Sequence, residues 1–153
     1  MRAPFQVIAF PFRMTASGEY EYAIFYRRSP RYGAFWQAIS GGGEDDETPL
    51  QAVRRESAEE AGLSLETPFI QLDSMATIPA PQAAGMLWGP DVLVVPEYAF
   101  GADTTGQEIT LSAEHEDYRW ADYLTAQELL CFDSNKNALW ELDFRLTREG
   151  KFI

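Results

Sequence analysis

The chain is most constrained between Gly41 and Leu63, where GGGEDDETPLQAVRRESAEEAGL sets three glycines, a helix-start signal and a run of carboxylates side by side. Thr48, Pro49 and Gln51 read as an N-cap, a proline at the first helical position and the far side of a capping box. Gly62 reads as the stop, so a helix is predicted to begin at Pro49 and end there. At about 100° per residue, Leu50, Val53, Ser57 and Ala61 share the side that must face a core, while Glu56, Glu59 and Glu60 gather on the adjoining side. The triple glycine is expected to form a tight turn and to let the backbone approach a ligand or metal closely.

Glutamates at i, i+3 and i+4 repel one another by roughly 0.2–0.5 kcal/mol per pair, and Arg55 offsets only part of this through its i,i+4 relation to Glu59. Such a face is either solvated or holds a cation. With no accompanying cysteine or histidine, the converging carboxylates suit Mg²⁺ or Mn²⁺ before Zn²⁺.

The wider spacing favours the cation. Gly41, five residues, Glu47, seven residues, then Arg55-Glu56-Ser57-Ala58-Glu59-Glu60-Ala61-Gly62-Leu63 resembles the Nudix box, GX5EX7REUXEEXGU with U aliphatic. Ser57 departs from it, standing where a bulky aliphatic residue is expected in the core-facing stripe. The resemblance implies an α+β chain in the Nudix fold, a mixed sheet held between helices as an α/β/α sandwich.

Length and charge bound the rest. The 153 residues suit a single domain, 1–153, with a core large enough to need no staples. A net charge of −12 argues against polymeric nucleic acid, which needs a basic track to displace counterions. A small phosphorylated substrate carrying its own metal ions is compatible with that charge. No apolar run is long enough for a membrane span and the N-terminus lacks a signal-peptide design, so a cytoplasmic protein is expected, as monomer or homodimer. The lone cysteine, Cys131, excludes an internal disulfide and reads as a structural core residue.

Strands are predicted over residues 5–12, ending or edge-placed at Pro11, over 20–28, and over 35–40 leading into the glycines. Others are expected within 67–78, 91–100 and 118–121, with a loop over 79–85. A capping box at Thr125 and Glu128 opens a short helix, and Asp133-Ser134 caps a last one with Leu139, Leu142 and Leu146 inward. Trp88, Tyr98 and Phe100 read as core aromatics before base-stacking ones. His115 reads as a loop hydrogen-bonder. Glu114 is the stronger site candidate, since a carboxylate from a facing loop completes an oxygen cage that one helix face cannot close.

Tyr26-Arg27-Arg28, Phe35-Trp36-Gln37, Ser40-Gly41, Glu114-His115 with Tyr118 and Trp120, and Ser134-Asn135 are similar to the dihydroneopterin triphosphate pyrophosphatase branch of the Nudix family, often labelled dATP pyrophosphohydrolase. That resemblance implies Arg27, Ser40 and Gly41 at the substrate and Glu56, Glu59, Glu60 and Glu114 at Mg²⁺ or Mn²⁺. Glu56, Glu59, Glu60 and Arg55 would form the catalytic set. The general base is a box glutamate or the later one, with Glu56 favoured and Arg55 holding the glutamates in place. Residues 77–105 do not match the branch. Two other readings stand beside this one, a hydrolase of nucleoside diphosphate derivatives such as ADP-ribose or Ap4A, and a non-catalytic nucleotide-sensing domain.

Overall fold

The computed structural model describes residues 1–149. Its elements run β1 (Arg2–Met14), β2 (Tyr20–Ser29), β3 (Gly33–Gln37), β4 (Ile39–Glu44), α1 (Pro49–Ala61), β5 (Phe69–Pro79), α2 (Ala80–Ala84), β6 (Val94–Asp103), β7 (Asp117–Ala121), α3 (Tyr123–Leu129) and α4 (Asp133–Thr147). The strands make one seven-stranded sheet in the order β3-β2-β1-β6-β5, with β4 also on β1 and β7 on β2. The β1–β6 pair is parallel and the other pairs are antiparallel, which makes the sheet mixed.

Period-two alternation along β1 divides the core between the two faces. Val7 and Ala9 join Ile39, Ala52, Val53, Ala61 and Phe100 under α1. Ile8, Phe10 and Phe12 join Tyr22, Ala126, Leu139 and Leu142 under α3 and α4. The sandwich and the α+β class are therefore as expected. Among the described residues, no helix is long and apolar enough to cross a membrane.

Pro11 is neither a strand end nor an edge. It is buried inside β1, at the point where one side of that strand changes partner, between Ala9↔Ile39 on β4 and Phe12↔Tyr22 on β2. A missing donor costs little where neither neighbour is in register. The same change of partner makes the sheet fork, β2, β3 and β7 going one way and β4 the other.

The glycines do not form a turn. Gly41, Gly42 and Gly43 lie in β4, and none has a positive φ. A Cβ there would displace the Glu56 carboxyl at Gly41, the Arg2 guanidinium at Gly42 and the Phe5 ring at Gly43 from their present positions. What approaches these glycines closely is the protein's own side chains.

α1 begins and ends where predicted. The Thr48 hydroxyl accepts from the Gln51 N–H at 3.2 Å, the Gln51 side chain accepts from the Thr48 N–H at 2.9 Å, and Gly62 closes the helix at φ 67°. Its buried stripe is Ala52, Val53, Ser57, Glu60 and Ala61. Leu50 is 40% exposed, because the first turn precedes the part of the helix that packs on the sheet.

Four further expectations change. Asp122, not Thr125, caps α3, its Oδ1 accepting from the Thr125 N–H at 2.8 Å. α4 has no side-chain cap on its N-cap residue, Phe132; Asn135 instead accepts from the Ala38 N–H at 2.9 Å, tying this helix start to the link between β3 and β4. Residues 80–84 form α2 rather than loop. Cys131 is exposed: Leu130 bridges to Trp36 with its side chain inward, so the next residue in that extended segment faces out.

Two buried polar arrangements carry testable consequences. Ser57 is fully buried and its hydroxyl has no partner. Ser57→Ala should stabilise the fold by about 1 kcal/mol by removing an unmet donor and improving helix propensity, whereas Ser57→Leu should cost about 1–3 kcal/mol by overpacking. Urea melts of both variants check this.

Glu141 on α4 accepts from the Asp73 N–H at 2.8 Å, the Ser74 N–H at 2.6 Å, the Ser74 hydroxyl at 2.7 Å and Arg145 Nε at 2.7 Å, pinning the irregular stretch of β5 between Gln71 and Met75. Burial pushes this carboxyl up, but the Ser74 hydroxyl, the two amides and Arg145 outweigh it and hold it below its usual range. A carboxyl lowered on folding stabilises fully above its unfolded pKa, and this is lost as pH falls through the folded value. Glu141→Gln should thus cost about 1–3 kcal/mol at pH 7, with the gap to wild type closing below about pH 4 in denaturation measured across pH.

Candidate functional site

Two positions one turn apart on α1 face the sheet fork. The Glu56 carboxyl fills the space a Gly41 side chain would need, and Glu60 Oε2 accepts from the Ser40 N–H at 3.2 Å. Arg55 lies beside them and grips Glu47 with Nε and Nη2, both at 3.0 Å. It also donates to Glu56 Oε1 at 2.9 Å, to the Gly42 carbonyl at 2.8 Å and to Glu59 Oε2 at 3.4 Å. Hydrogen bonds from Arg55 first, and the Glu44 N–H as well, hold Glu47 below the usual carboxylate range against the effect of burial. Glu56 moves the opposite way: burial raises it despite Arg55, with Glu59 and Glu114 adding to the rise.

The segment before β7 closes the cluster. Ligand atoms of Glu60, Glu114 and His115 lie within 4.8 Å of one another. Glu60 is 2% exposed, and its carboxyl is pushed up to about 9 by burial, then by its hydrogen bond with Glu114 and the charges of Glu56 and Glu114. His115 is not the loop hydrogen-bonder expected: its side chain is buried, neither ring nitrogen has a hydrogen-bond partner, and Nε2 stands 3.8 Å from Glu60 Oε1. Burial first, then Arg27, lowers its pKa against the pull of Glu114, which disfavours the charged ring beside Glu60. Glu116, two residues from Glu114, pairs with Arg28 at 3.0 Å on the exposed side.

Glu56, Glu60, Glu114, Arg27, Ser40 and Gly41 line one cavity of about 770 Å³. The predicted residues therefore converge, except that Arg55 sits behind the lining and the Glu59 side chain is 60% exposed on the outer side of the helix. Arg2, Gln37, Glu97 and Asn135 also line the cavity and were not singled out as site residues from sequence. Glu97 carried no local signal, being one acid in an apolar strand, while Gln37 lay within the Phe35-Trp36-Gln37 motif.

Trp88 donates Nε1 to the Arg2 carbonyl at 2.9 Å, Tyr98 meets Phe5 edge-on and Phe100 is fully buried against Phe69. None of the three lines the cavity.

The donor set fits a hard divalent cation. The Glu60 and Glu114 carboxyls and a His115 ring nitrogen lie within 4.8 Å of one another, Glu56 lines the same cavity, and among the described residues no Arg or Lys forms an ion pair with buried Glu60. Burial, the hydrogen bond with Glu114 and the charges of Glu56 and Glu114 all raise the Glu60 carboxyl, and a bound cation would offset them.

Comparison with known proteins agrees with this geometry. The NUDIX domain family matches residues 7–140. A crystal structure described as a NUDIX hydrolase from Listeria monocytogenes superposes with a TM-score of 0.84 at 39% identity, covering 97% of each chain. The E. coli dihydroneopterin triphosphate pyrophosphohydrolase does so with a TM-score of 0.74 at 22% identity, covering 94% of this chain and 97% of that one, a likeness of fold. An octanoyltransferase from Myxococcus xanthus is 36% identical over 110 residues, 71% of this chain, and the match spans 29% of that relative's length. On the family match over residues 7–140, the chain belongs to the NUDIX family.

Proposed function

We propose that the protein hydrolyses a phosphoanhydride bond in a nucleoside triphosphate-like substrate, dihydroneopterin triphosphate or a dNTP, and releases pyrophosphate, using Mg²⁺ or Mn²⁺. The observation that carries the reading is Glu60, buried beside Glu56 and Glu114 with its pKa pushed up to about 9 and, among the described residues, no Arg or Lys paired with it. Glu56, Glu60 and Glu114 would hold the ion, and Glu59 is the further carboxylate of the set. When bound, the ion supplies charge neutralisation on the phosphoryl oxygens and lowers the pKa of water.

The side chains do the rest. Arg27, Arg31 and Arg2 line the same cavity and offer cationic donors to the non-reacting phosphates. Glu56, oriented by Arg55 at 2.9 Å, takes the proton of a water that attacks phosphorus in line; Glu114 is the alternative base. The new P–O bond forms as the anhydride P–O bond breaks, leaving a monophosphate and pyrophosphate. Glu47 clamps the far side of Arg55 and keeps its guanidinium on Glu56.

A panel of dihydroneopterin triphosphate, dNTPs, ADP-ribose and Ap4A, with and without Mg²⁺, tests this reading. Metal-dependent pyrophosphate release from a triphosphate is expected. Turnover of ADP-ribose or Ap4A alone would move the enzyme to the diphosphate-derivative class, and binding without turnover would make it a sensor.

Glu60→Gln should retain the fold and lower turnover at saturating Mg²⁺ by at least about 10²-fold. Mn²⁺ titration should separate two neighbours: Glu114→Gln loses affinity by about 10-fold or more, while Glu116→Gln, whose wild-type carboxylate is engaged with exposed Arg28, binds Mn²⁺ as the wild type does.

A further inference from the structure

The cavity extends well past the acid cluster. Register pairs Gly42↔Gln6, Gln6↔Glu97 and Ala76↔Glu97 set four lining residues in one row across β4, β1, β6 and β5. With strands about 4.8 Å apart, Glu97 stands about 10 Å from Gly42, the reach from a reacting phosphate to the head group of a nucleotide. Tyr32, Phe35 and Phe132, packed edge to face with centroids 5.3–6.0 Å apart, line the same cavity, with Arg27 against Phe35 and Arg31 against Tyr32. They suit a flat ring.

The polar groups here are unspent. Glu97 is 5% exposed and, among the described residues, its Oε1 has no hydrogen-bond partner; burial raises its carboxyl, against the Ser134 hydroxyl, so donors from a guest would favour its ionised form. Gln37 is also 5% exposed, with its amide Nε2 unpartnered. The neighbouring Asn135 oxygen is already taken by the Ala38 N–H. A buried carboxyl with no cation and one weak donor is costly unless something completes it. A side cavity of about 30 Å³ beside Glu97, Ser74 and Ser134 has room for one water on that flank only.

We infer that this end is a head-group site in which Glu97 accepts paired N–H groups from a 2-amino-4-oxopyrimidine ring, as in guanine or a pterin, while the Gln37 amide donates to the ring's oxo group. A carboxylate offers acceptors only, spaced for two parallel N–H donors. The ring N–H and 2-amino group of such a heterocycle present that pair, with an oxo acceptor alongside for Gln37. Adenine and cytosine alternate an amino donor with a lone-pair nitrogen, and thymine flanks its single N–H with two acceptors, so none of them satisfies both groups. The inference rests on the triphosphate reading above.

dGTP and dITP differ only in the 2-amino group, which makes the test direct. For the wild type, kcat/KM for dGTP should exceed that for dITP by about 10–100-fold, and the calorimetric Kd of dGMP should be lower than that of dIMP by a similar factor. Glu97→Gln, checked for folding by its thermal melt, should bring both ratios within about threefold. Preference for dihydroneopterin triphosphate or for dGTP, over dATP and dCTP, supports the assignment and names the source of the ring. Equal handling of dGTP and dITP by the wild type overturns it without any variant. A ratio unchanged in Glu97→Gln would make Glu97 structural, and a preference for dATP would mean a protonated carboxyl reading the opposite pattern; both overturn the inference. Should no triphosphate be hydrolysed while the dGMP-to-dIMP ratio behaves as stated, the head-group site stands and the hydrolytic reading fails.

Discussion

The arrangement depends on one guanidinium. Arg55 satisfies Glu47 in the loop before α1, Glu56 and Glu59 on the helix and the Gly42 carbonyl in β4, so one side chain fixes the helix to the strand beneath it. Without that charge, three carboxyls on one helix would repel one another and the partly buried Glu56 would have no cation beside it. Glu60 lies beyond Arg55's reach and is left to the cavity. Charge compensation inside the protein thus stops one turn short: of the two carboxyls facing the fork, Glu56 has Arg55 beside it, and Glu60 has no Arg or Lys ion pair among the described residues.

Much of this was legible in the sequence because the signals were local. The capping box at Thr48, the stop at Gly62 and the helical spacing of the glutamates are decided by residues within a turn or two of one another, and α1 lies where they put it. Glu114 was legible by resemblance and by the chemical need for a facing ligand. What failed was decided by distant partners. Pro11 sits inside a strand because β1 changes neighbours there, and Gly41–Gly43 are glycine because Glu56, Arg2 and Phe5 crowd them, facts that no window of sequence contains.

Glu97 went unmarked and His115 was misread for the same reason. One is an acid in an apolar strand and the other a histidine in a polar loop, and each becomes conspicuous only when folding buries it without a hydrogen-bond partner for at least one of its polar atoms. Burial is a property of the assembled sheet, so an unmet polar atom is invisible until the layers are in place.

The fork in the sheet divides the labour of evolution. β1 and β2 are in register only at Phe12↔Tyr22, Arg13↔Glu21 and Met14↔Tyr20, so between the arm bearing Gln37 and the arm bearing the glycines no backbone ladder spans the cavity. Its breadth is set by side chains such as Tyr32, Phe35 and Phe132 on one bank and Glu97 and Ile78 on the other. Those positions can drift, one substitution at a time, toward a larger or smaller guest without unpicking a strand pair or moving the acidic helix. A lineage built on this frame can change its diet while keeping its teeth.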